Sequence, residues 1–350
     1  MKRISVLILA VIGGMCLYSC SQQKLDTSVI QDNARPYWSE KKKVSFVQKL
    51  QIGTEDVLQD DYLFGVPKDI KFDKNNNIYI ADNAMFRIQK YSSEGKYLQS
   101  FGNGNGRGPG EFMSLRGIAV DSKQRLLALD FNQRNITIFD SSGEVVSTIK
   151  CKMKPLFMVV GSDDAIYVVG SARSHKRPLI HKFRSDGSFE TAFCERKGIH
   201  EDSFKAGNAG YLSKDNQGNI YFAIPYPYEI RKFSPDGDLL QTFSRRVSFF
   251  QPPFEMEWHG QSLIVQPTGS KGLSVLPDGK LVHVIYNMKD DGFLEHFLDI
   301  FSSDGTFLYT LPLSGLTNYY DGISIDEQGG VFFIDPKPYP TIKKFTLNIE

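Results

Sequence analysis

The sequence predicts an all-β protein built from a unit of four short strands that occurs six times, and three observations support this prediction. First, an Ile/Leu-x-x-Phe/Tyr pattern recurs, with its aromatic residue at Tyr91, Phe139, Phe183, Phe233, Phe301 and Phe345. Second, five copies have a glycine four residues further on, at Gly95, Gly143, Gly187, Gly237 and Gly305. Third, a second apolar run precedes each copy after a polar turn, as in Asn77-Ile78-Tyr79-Ile80. A repeat of about 40 to 50 residues made of short strands is typical of a propeller or a solenoid.

Each unit divides into four strands, which we name A to D. In the second unit the predicted strands are Gly117–Asp121, Arg125–Asp130, Asn135–Asp140 and Glu144–Ile149. The glycine between strands C and D supplies the positive φ that a tight hairpin requires. Because no helical period separates the units, four antiparallel strands per unit predict the blades of a six-bladed β-propeller.

The sixth unit lacks its outer strand. After Phe345 only residues 346–350 remain, and an unpaired strand C would expose a hydrogen-bonding edge. Residues Val44–Leu50 alternate apolar and polar side chains. We therefore expect this N-terminal strand to complete blade 6 and close the ring, which gives one propeller domain over residues 44–350.

One stretch carries a resemblance to a known repeat. It reads Ser100-Phe101-Gly102, then Gly108-Pro109-Gly110-Glu111-Phe112, then Leu115-Arg116-Gly117-Ile118-Ala119-Val120-Asp121. This stretch resembles the NHL repeat, and the whole chain resembles the six-bladed propeller lipoproteins of Gram-negative bacteria. The resemblance implies the fold and leaves the activity open, since related propellers include binding modules, lactonases and amidating lyases.

The N-terminus predicts export and a lipid anchor. Lys2 and Arg3 precede an apolar run, Ile4–Met15, which suits a signal peptide and is too short to span a membrane. The following Leu17-Tyr18-Ser19-Cys20 resembles a lipobox, so we expect residues 1–20 to be a lipoprotein signal peptide with Cys20 as the lipidated residue. Residues 21–43 then form a polar tether. The predicted location is the cell envelope, at the outer membrane on its periplasmic or surface face; a plain secretory signal is the alternative.

Charge and cysteine content limit the partners. The chain has 41 basic and 40 acidic side chains, and this balance argues against nucleic-acid binding. Cys151 and Cys194 follow strand D of neighbouring blades, where equivalent outer positions lie too far apart for a disulfide, so we expect two buried thiols. No spacing of cysteine and histidine indicates a zinc site, and no cofactor is predicted.

A ligand site is predicted at the mouth of the central channel. The residues at the start of strand A, aligned by the repeat, are Lys68, Arg116, Leu156, Gly210, Lys271 and Asp321. Three cations and one anion around a channel predict a pocket for an anionic group, with Arg116 suited to bidentate contact. In the alternative interpretation these charges pair with one another or point between the blades.

The same positions bear on catalysis. Six-bladed lactonases hold a divalent metal at the channel with carboxylate and amide oxygens. Cations at these positions would repel a metal, so the sequence predicts no metal site and favours a binding module over an enzyme. A metal-dependent lactonase, hydrolase or lyase remains the alternative function.

Two loops and an insertion extend the predicted ligand face. Arg173 belongs to a basic loop between strands B and C, and Tyr226 and Tyr228 form an aromatic pair in the next blade. The segment Ser244–Ser270 interrupts the repeat and contains Trp258. Long connections in compact domains tend to be functional. These features predict a small molecule, a glycan or a peptide as ligand. The insertion raises a third possibility, a scaffold that binds another envelope protein. In each case the plain alternative is a solvated loop or a structural cap.

Overall fold

Two strands precede the first complete blade in the computed structural model. It describes residues 29–33, 35–38, 43–56, 58–171, 178–196, 198–200, 202–203, 210–290, 292–313 and 322–349. The two strands are β1 (Val29–Asn33) and β2 (Val44–Ile52), and a short 3-10 helix follows at Asp60–Tyr62. No helix in these residues has the length and apolar character needed to cross a membrane.

Blades 1 to 3 follow the chain in order, each with strands A, B, C and D hydrogen-bonded in sequence. Blade 1 consists of β3 (Pro67–Phe72), β4 (Ile78–Asp82), β5 (Arg87–Tyr91) and β6 (Tyr97–Phe101). Blade 2 consists of β7 (Leu115–Val120), β8 (Leu126–Asp130), β9 (Asn135–Phe139) and β10 (Val145–Lys150). Blade 3 consists of β11 (Lys154–Val160), β12 (Ile166–Ser171), β13 (Ile180–Phe183) and β14 (Phe189–Phe193).

Blades 4 to 6 carry additions to this plan. Blade 4 consists of β15 (Tyr211–Lys214), β16 (Ile220–Ala223), β17 (Glu229–Phe233) and β18 (Leu239–Arg245). A separate hairpin of β19 (Phe254–Trp258) and β20 (Gln261–Val265) comes next. Blade 5 consists of β21 (Thr268–Val275), β22 (Leu281–Met288), β23 (Leu294–Phe301) and β24 (Phe307–Pro312). Blade 6 contains β25 (Ser324–Ile325), β26 (Gly330–Asp335) and β27 (Thr341–Ile349).

The ring closes as the sequence predicts. Strand β2 pairs antiparallel with β27, from Val44 opposite Ile349 to Ile52 opposite Ile342. It therefore supplies the outer strand of blade 6. The A strands contact one another in order around the ring, and β25 contacts β3 to complete it. The chain is thus an all-β six-bladed propeller.

Part of the segment predicted as a tether lies against the propeller. Strand β1 pairs in parallel with β18 at the outer edge of blade 4. The backbone N–H groups of Tyr37 and Trp38 donate to the carbonyls of Phe307 and Leu308 in blade 5, at 2.8 and 3.0 Å. Residues 1–28, which include the predicted signal peptide and Cys20, lie outside the described residues.

The core consists of apolar layers between neighbouring blades. Between blades 1 and 2, for example, Phe101 and Ile88 pack with Phe112 and Phe139. The turns between strands C and D use the predicted glycines, since Gly143 and Gly187 have φ of +97° and +85°. Cys151 and Cys194 are buried free thiols, as expected, and burial raises the pKa of each to about 12.

Candidate functional site

A central cavity of about 790 Å³ lies on the axis of the propeller. Strand A of every blade and the turns between strands A and B line it. In blades 2 and 5 the lining begins only at Ala119 and Leu273, beyond the first half of strand A. The cavity therefore lies mainly in the half of the channel next to the A–B turns, although in blade 1 it reaches back to Lys68 near the start of strand A.

Of the predicted ligand residues, Lys68 alone lines this cavity among those that the structure describes. A β-bulge recurs in strand A at the aligned positions. Its register against strand B shifts at four of the aligned positions, Lys68, Arg116, Leu156 and Lys271. A bulge inserts one unpaired residue and changes the direction of its side chain. The simple alternation of side chains used for the prediction therefore does not hold at these residues.

Arg116 lies against an aromatic ring instead of lining the cavity. Its guanidinium carbon is 5.3 Å from the centre of the Phe131 ring, and the Lys154 amine is 4.7 Å from the same ring. The Arg116 Nε is buried and has no hydrogen-bond partner in the described part of the chain. Arg116 remains a half-buried cation with an open donor.

Lys271 is also half-buried, with its amine 5.3 Å from the centre of the Tyr286 ring. The Tyr286 hydroxyl donates to the Gln266 carbonyl at 2.9 Å, which holds the ring in place. Asp321 and Arg173, predicted as further ligand residues, lie outside the described residues.

The two predicted platform tyrosines have different surroundings. Tyr226 is half-buried and its ring stacks on Phe250, with centroids 5.7 Å apart. Tyr228 is buried, and its hydroxyl donates to Asp299 Oδ2 at 2.6 Å. Tyr228 is therefore part of the core and presents no surface to a ligand. Trp258 is 58% exposed on the separate hairpin.

The Tyr228 hydroxyl belongs to a buried network between blades 4 and 5. It lies 3.0 Å from His283 Nδ1, and His283 Nε2 lies 2.7 Å from Ser270 Oγ. Arg245 forms an ion pair with Asp299 at the other end. The order of Ser, His and carboxylate is reminiscent of a nucleophilic site, but Ser270 is fully buried. No substrate could reach its hydroxyl, so we interpret the network as structural.

Carboxylates that line the cavity are occupied by structural partners. In the A–B turn of blade 1, Asp73 accepts the backbone N–H groups of Asn75 and Asn77 at 2.9 and 3.0 Å. Burial opposes its ionisation, but a hydrogen bond from the Asn77 side chain, the two backbone bonds and the charge of Lys90 together outweigh burial and lower the pKa of Asp73. The other four lining aspartates also have partners. Asp69 accepts the backbone N–H of Ile118, and Asp164 accepts the hydroxyl of Ser122. Asp121 pairs with Arg125, and Asp326 pairs with Lys344.

Two lysines of the cavity are not occupied in this way. Lys74 and Lys214 are exposed to the cavity, and within the described residues neither has a hydrogen-bond or ion-pair partner. The surrounding walls desolvate the amine and lower the pKa of Lys214, against the opposing attraction of Asp164, Asp163 and Glu327. A desolvated amine that lacks a direct ion pair is stabilised by an anion beside it. Sequence reasoning missed Lys214 because it lies near the end of strand A, where the alignment had placed no ligand.

The residues present do not fit the divalent metal of a lactonase. The aligned positions in the described blades hold two lysines, an arginine, a leucine and a glycine. No cluster of three or more His, Cys, Asp or Glu side chains suited to a metal occurs in the described ranges. Hard cations require several oxygen ligands, and the five lining aspartates already have partners, which leaves Glu327 as a single carboxylate.

Solved structures with the same fold span several activities. A Bacteroides fragilis protein predicted to be exported matches 92% of this chain and 100% of its own, with 14% identity and a TM-score of 0.60. A gluconolactonase from Xanthomonas campestris matches 82% of this chain and 87% of its own, with 16% identity and a TM-score of 0.52. Virginiamycin B lyase from Staphylococcus aureus matches 88% and 100%, with 12% identity and a TM-score of 0.50.

At these identities the likeness extends to the fold alone. No curated protein matches the sequence. A family model does match: that of DUF5128, described as a 6-bladed beta-propeller, covers residues 57–248, more than half of the chain. Repeat, ring and family model agree, and the chain belongs to the DUF5128 family of six-bladed β-propellers.

Proposed function

We propose that this protein is an exported binding protein that holds a small anionic molecule in its central cavity. One observation carries the proposal: the five aspartates that line the cavity have structural partners, whereas the amines of Lys74 and Lys214 have none among the described residues. The charge available to a ligand is therefore predominantly positive, although Glu327 also lines the cavity.

The walls of the cavity strengthen the attraction between these lysines and an anion. Between charges in a partly enclosed site the effective dielectric constant is lower than in water, so one ion pair is stronger there than on an open surface. An anionic group beside Lys214 would also offset the desolvation that lowers its pKa. A carboxylate, a phosphate or an acidic sugar supplies such an anionic group, whereas a neutral ligand does not.

Thermal unfolding in the presence of defined anions tests the proposal. Residues 29–350 would be screened against citrate, gluconate, glucuronate and inorganic phosphate. A ligand at a hundred times its dissociation constant stabilises the folded state by about 2.7 kcal/mol. We expect Lys214→Ala to abolish the stabilisation. The control is Lys123→Ala, an exposed lysine of an A–B turn that does not line the cavity. Stabilisation that survives Lys214→Ala, or none by any anion, would contradict the proposal.

The lactonase alternative is tested in the same assay. A chelator added to the protein should leave the unfolding temperature unchanged, and gluconolactone should not be hydrolysed faster than in buffer. A chelator-sensitive unfolding temperature together with lactone hydrolysis would replace the binding function with an enzymatic one.

Placement at the envelope is part of the proposal. Support comes from the predicted signal peptide and the lipobox-like sequence at Cys20, together with the exported assignment of the Bacteroides fragilis neighbour. A Cys20→Ala variant should lose incorporation of an alkyne-labelled fatty acid, whereas Cys151→Ala should keep it. Labelling that persists in Cys20→Ala would overturn the predicted anchor.

A further inference from the structure

The hairpin of β19 and β20 is a two-stranded sheet without another strand on either side in the described residues. Its base connects to the propeller through Phe249 and Phe250, which pack on Phe297 and Tyr226. The hairpin itself is mostly exposed along both strands. An isolated pair of strands is at best marginally stable in water, and a third strand or a packed face is normally needed.

One face of this hairpin is apolar and exposed. Phe254 pairs with Val265 and Met256 with Leu263, and Trp258 follows on the same side. Phe254 is 45% exposed, Met256 36% and Leu263 43%. The opposite face carries Glu255, Glu257 and Ser262, together with the half-buried Ile264. The hairpin is therefore amphipathic, with its apolar side towards solvent.

The free edges of the hairpin lack the protection found at the rim of the propeller. The pairing of strand C with strand D contains a register shift in all six blades. The pairing of β19 with β20 has none. Neither strand contains lysine, arginine or proline. Bulges, lysine and proline are the usual means of blocking a sheet edge, and an unblocked apolar edge is a template for strand addition.

We propose that the edge of β19 binds an extended segment of a partner protein in which apolar and basic residues alternate. A strand added at this edge would place every second side chain opposite Glu255 and Glu257, and the others beside Phe254, Met256 and Trp258. The two glutamates are the only charged residues of the hairpin strands. Opposite charges across neighbouring strands stabilise pairing. Backbone hydrogen bonds supply affinity and the alternating side chains supply specificity.

Two other occupants fit less well. The four exposed apolar side chains offer on the order of 400 Å² of apolar surface, about half of the roughly 800 Å² of total surface that each partner buries in a standard-size interface. A second copy would also bring glutamates to face glutamates. Membrane-binding elements usually carry lysine or arginine on their polar face, and this hairpin carries carboxylates.

Fluorescence of Trp258 reports whether the edge of β19 is occupied. The chain has two tryptophans, so the assay uses a Trp38→Phe protein, in which Trp258 is the only one left. The probes are a peptide of alternating valine and lysine and a matched peptide of alternating valine and glutamate. We expect the lysine peptide to shift the Trp258 emission to the blue with saturation, and the glutamate peptide to bind at least tenfold more weakly. The paired substitution Glu255→Lys with Glu257→Lys should reverse this preference.

The control is Glu144→Lys, an exposed glutamate beside strand D of blade 2, which should leave both affinities unchanged. Equal binding of the two peptides, or a preference that survives the paired substitution, would overturn the proposal. A blue-shifted Trp258 in a protein that sediments as a dimer would assign the surface to a second copy. A shift caused only by phospholipid vesicles would assign it to a membrane.

Discussion

Blades 2 and 5 have the same strand order but differ in what fills one equivalent position of their B and C strands. In blade 2, Ala128 on strand B pairs with Thr137 on strand C. In blade 5, His283 pairs with Asp299 at the same place. All four side chains are buried. The propeller therefore repeats a backbone geometry and allows very different chemistry inside it.

The contacts between neighbouring blades also differ around these positions. Blade 2 meets blade 1 through aromatic rings, such as Phe139 against Phe101 and Phe112, with centroids 6.1 and 6.2 Å apart. Blade 5 meets blade 4 through the hydrogen-bonded chain of Ser270, His283, Tyr228, Asp299 and Arg245. Apolar contacts tolerate small changes of angle, whereas a buried polar network is favourable only when each member has its partner.

The largest expected effect is that of Asp299→Ala. The substitution leaves the Arg245 guanidinium and the Tyr228 hydroxyl without their acceptor in a buried setting, so we expect a loss of about 3–5 kcal/mol in the free energy of unfolding. The matched change in blade 2, Thr137→Ala, should cost no more than about 1 kcal/mol. Urea denaturation measures both. Equal losses would mean that the network contributes no more than ordinary packing.

Tyr228→Phe is expected to have the next largest effect. The hydroxyl connects His283 to Asp299, and losing a hydrogen bond to a charged group costs about 1.5–3 kcal/mol. Tyr97→Phe serves as control, because its hydroxyl meets Ser100 at the surface, at 3.0 Å. Thermal and urea unfolding of the two variants should differ clearly. If Tyr228→Phe left the free energy of unfolding unchanged, water would have replaced the hydroxyl, and the interface would contain more water than its burial indicates.

Acid should weaken blade 5 selectively. Burial, helped by Arg245, lowers the pKa of His283 to about 3 from its ordinary value of 6.5. Between these values the unfolded state binds the proton and the folded state does not, so stability is complete above pH 6.5 and falls as the pH falls towards 3. The slope from this residue is at most about 1.4 kcal/mol per pH unit.

The control for this pH effect is His283→Ala, which introduces the residue that blade 2 has at this position. Its stability should fall less steeply with acid than that of the parent protein. The contribution of His296, whose pKa burial lowers to about 4, remains in both proteins. Parallel pH profiles for the two would show that His283 already carries a proton in the folded state.

The smallest expected effect concerns a pair that blade 2 lacks. In blade 4 the Lys232 amine lies 5.2 Å from the centre of the Tyr221 ring and 3.6 Å from Asp215, whereas blade 2 has Leu127 opposite Ile138 at this register. Lys232→Met should cost about 0.5–1 kcal/mol. Lys150→Met, at an exposed site of blade 2, should be neutral within about 0.5 kcal/mol. If Lys232→Met left the free energy of unfolding unchanged, packing of the aliphatic part of Lys232 would account for its contribution, and its charge would add nothing.

The sequence predicts most of the fold because alternation and turn chemistry are local. In blade 2 the predicted strands agree with β7 to β10 within two residues at each end. The closing strand was predicted as Val44–Leu50 and observed as Val44–Ile52. In blade 2 the side-chain pattern and the turn residues act locally, whereas the closing strand was predicted from its alternation and takes its register from the distant strand β27.

The site was harder to predict, because bulges and contacts between blades determine it. Lys68, Arg116 and Lys271 were aligned correctly by the repeat, but each lies at a register shift that no local pattern indicates. The partners that occupy the cavity carboxylates come partly from other blades, as when Asp164 accepts from Ser122. Spacing along the chain carries no information on such contacts.

Because the ring is closed by pairing β2 with β27, the propeller can be completed only after the last strand has been synthesised. Residues 44–52 leave the ribosome early and have no partner strand in blade 6 until residues 341–349 follow. A chain that stops before β27 cannot bury the face of β26 or seal blade 1 against blade 6. Truncated products should therefore stay open and protease-sensitive, so that quality control can recognise them by an unfinished ring.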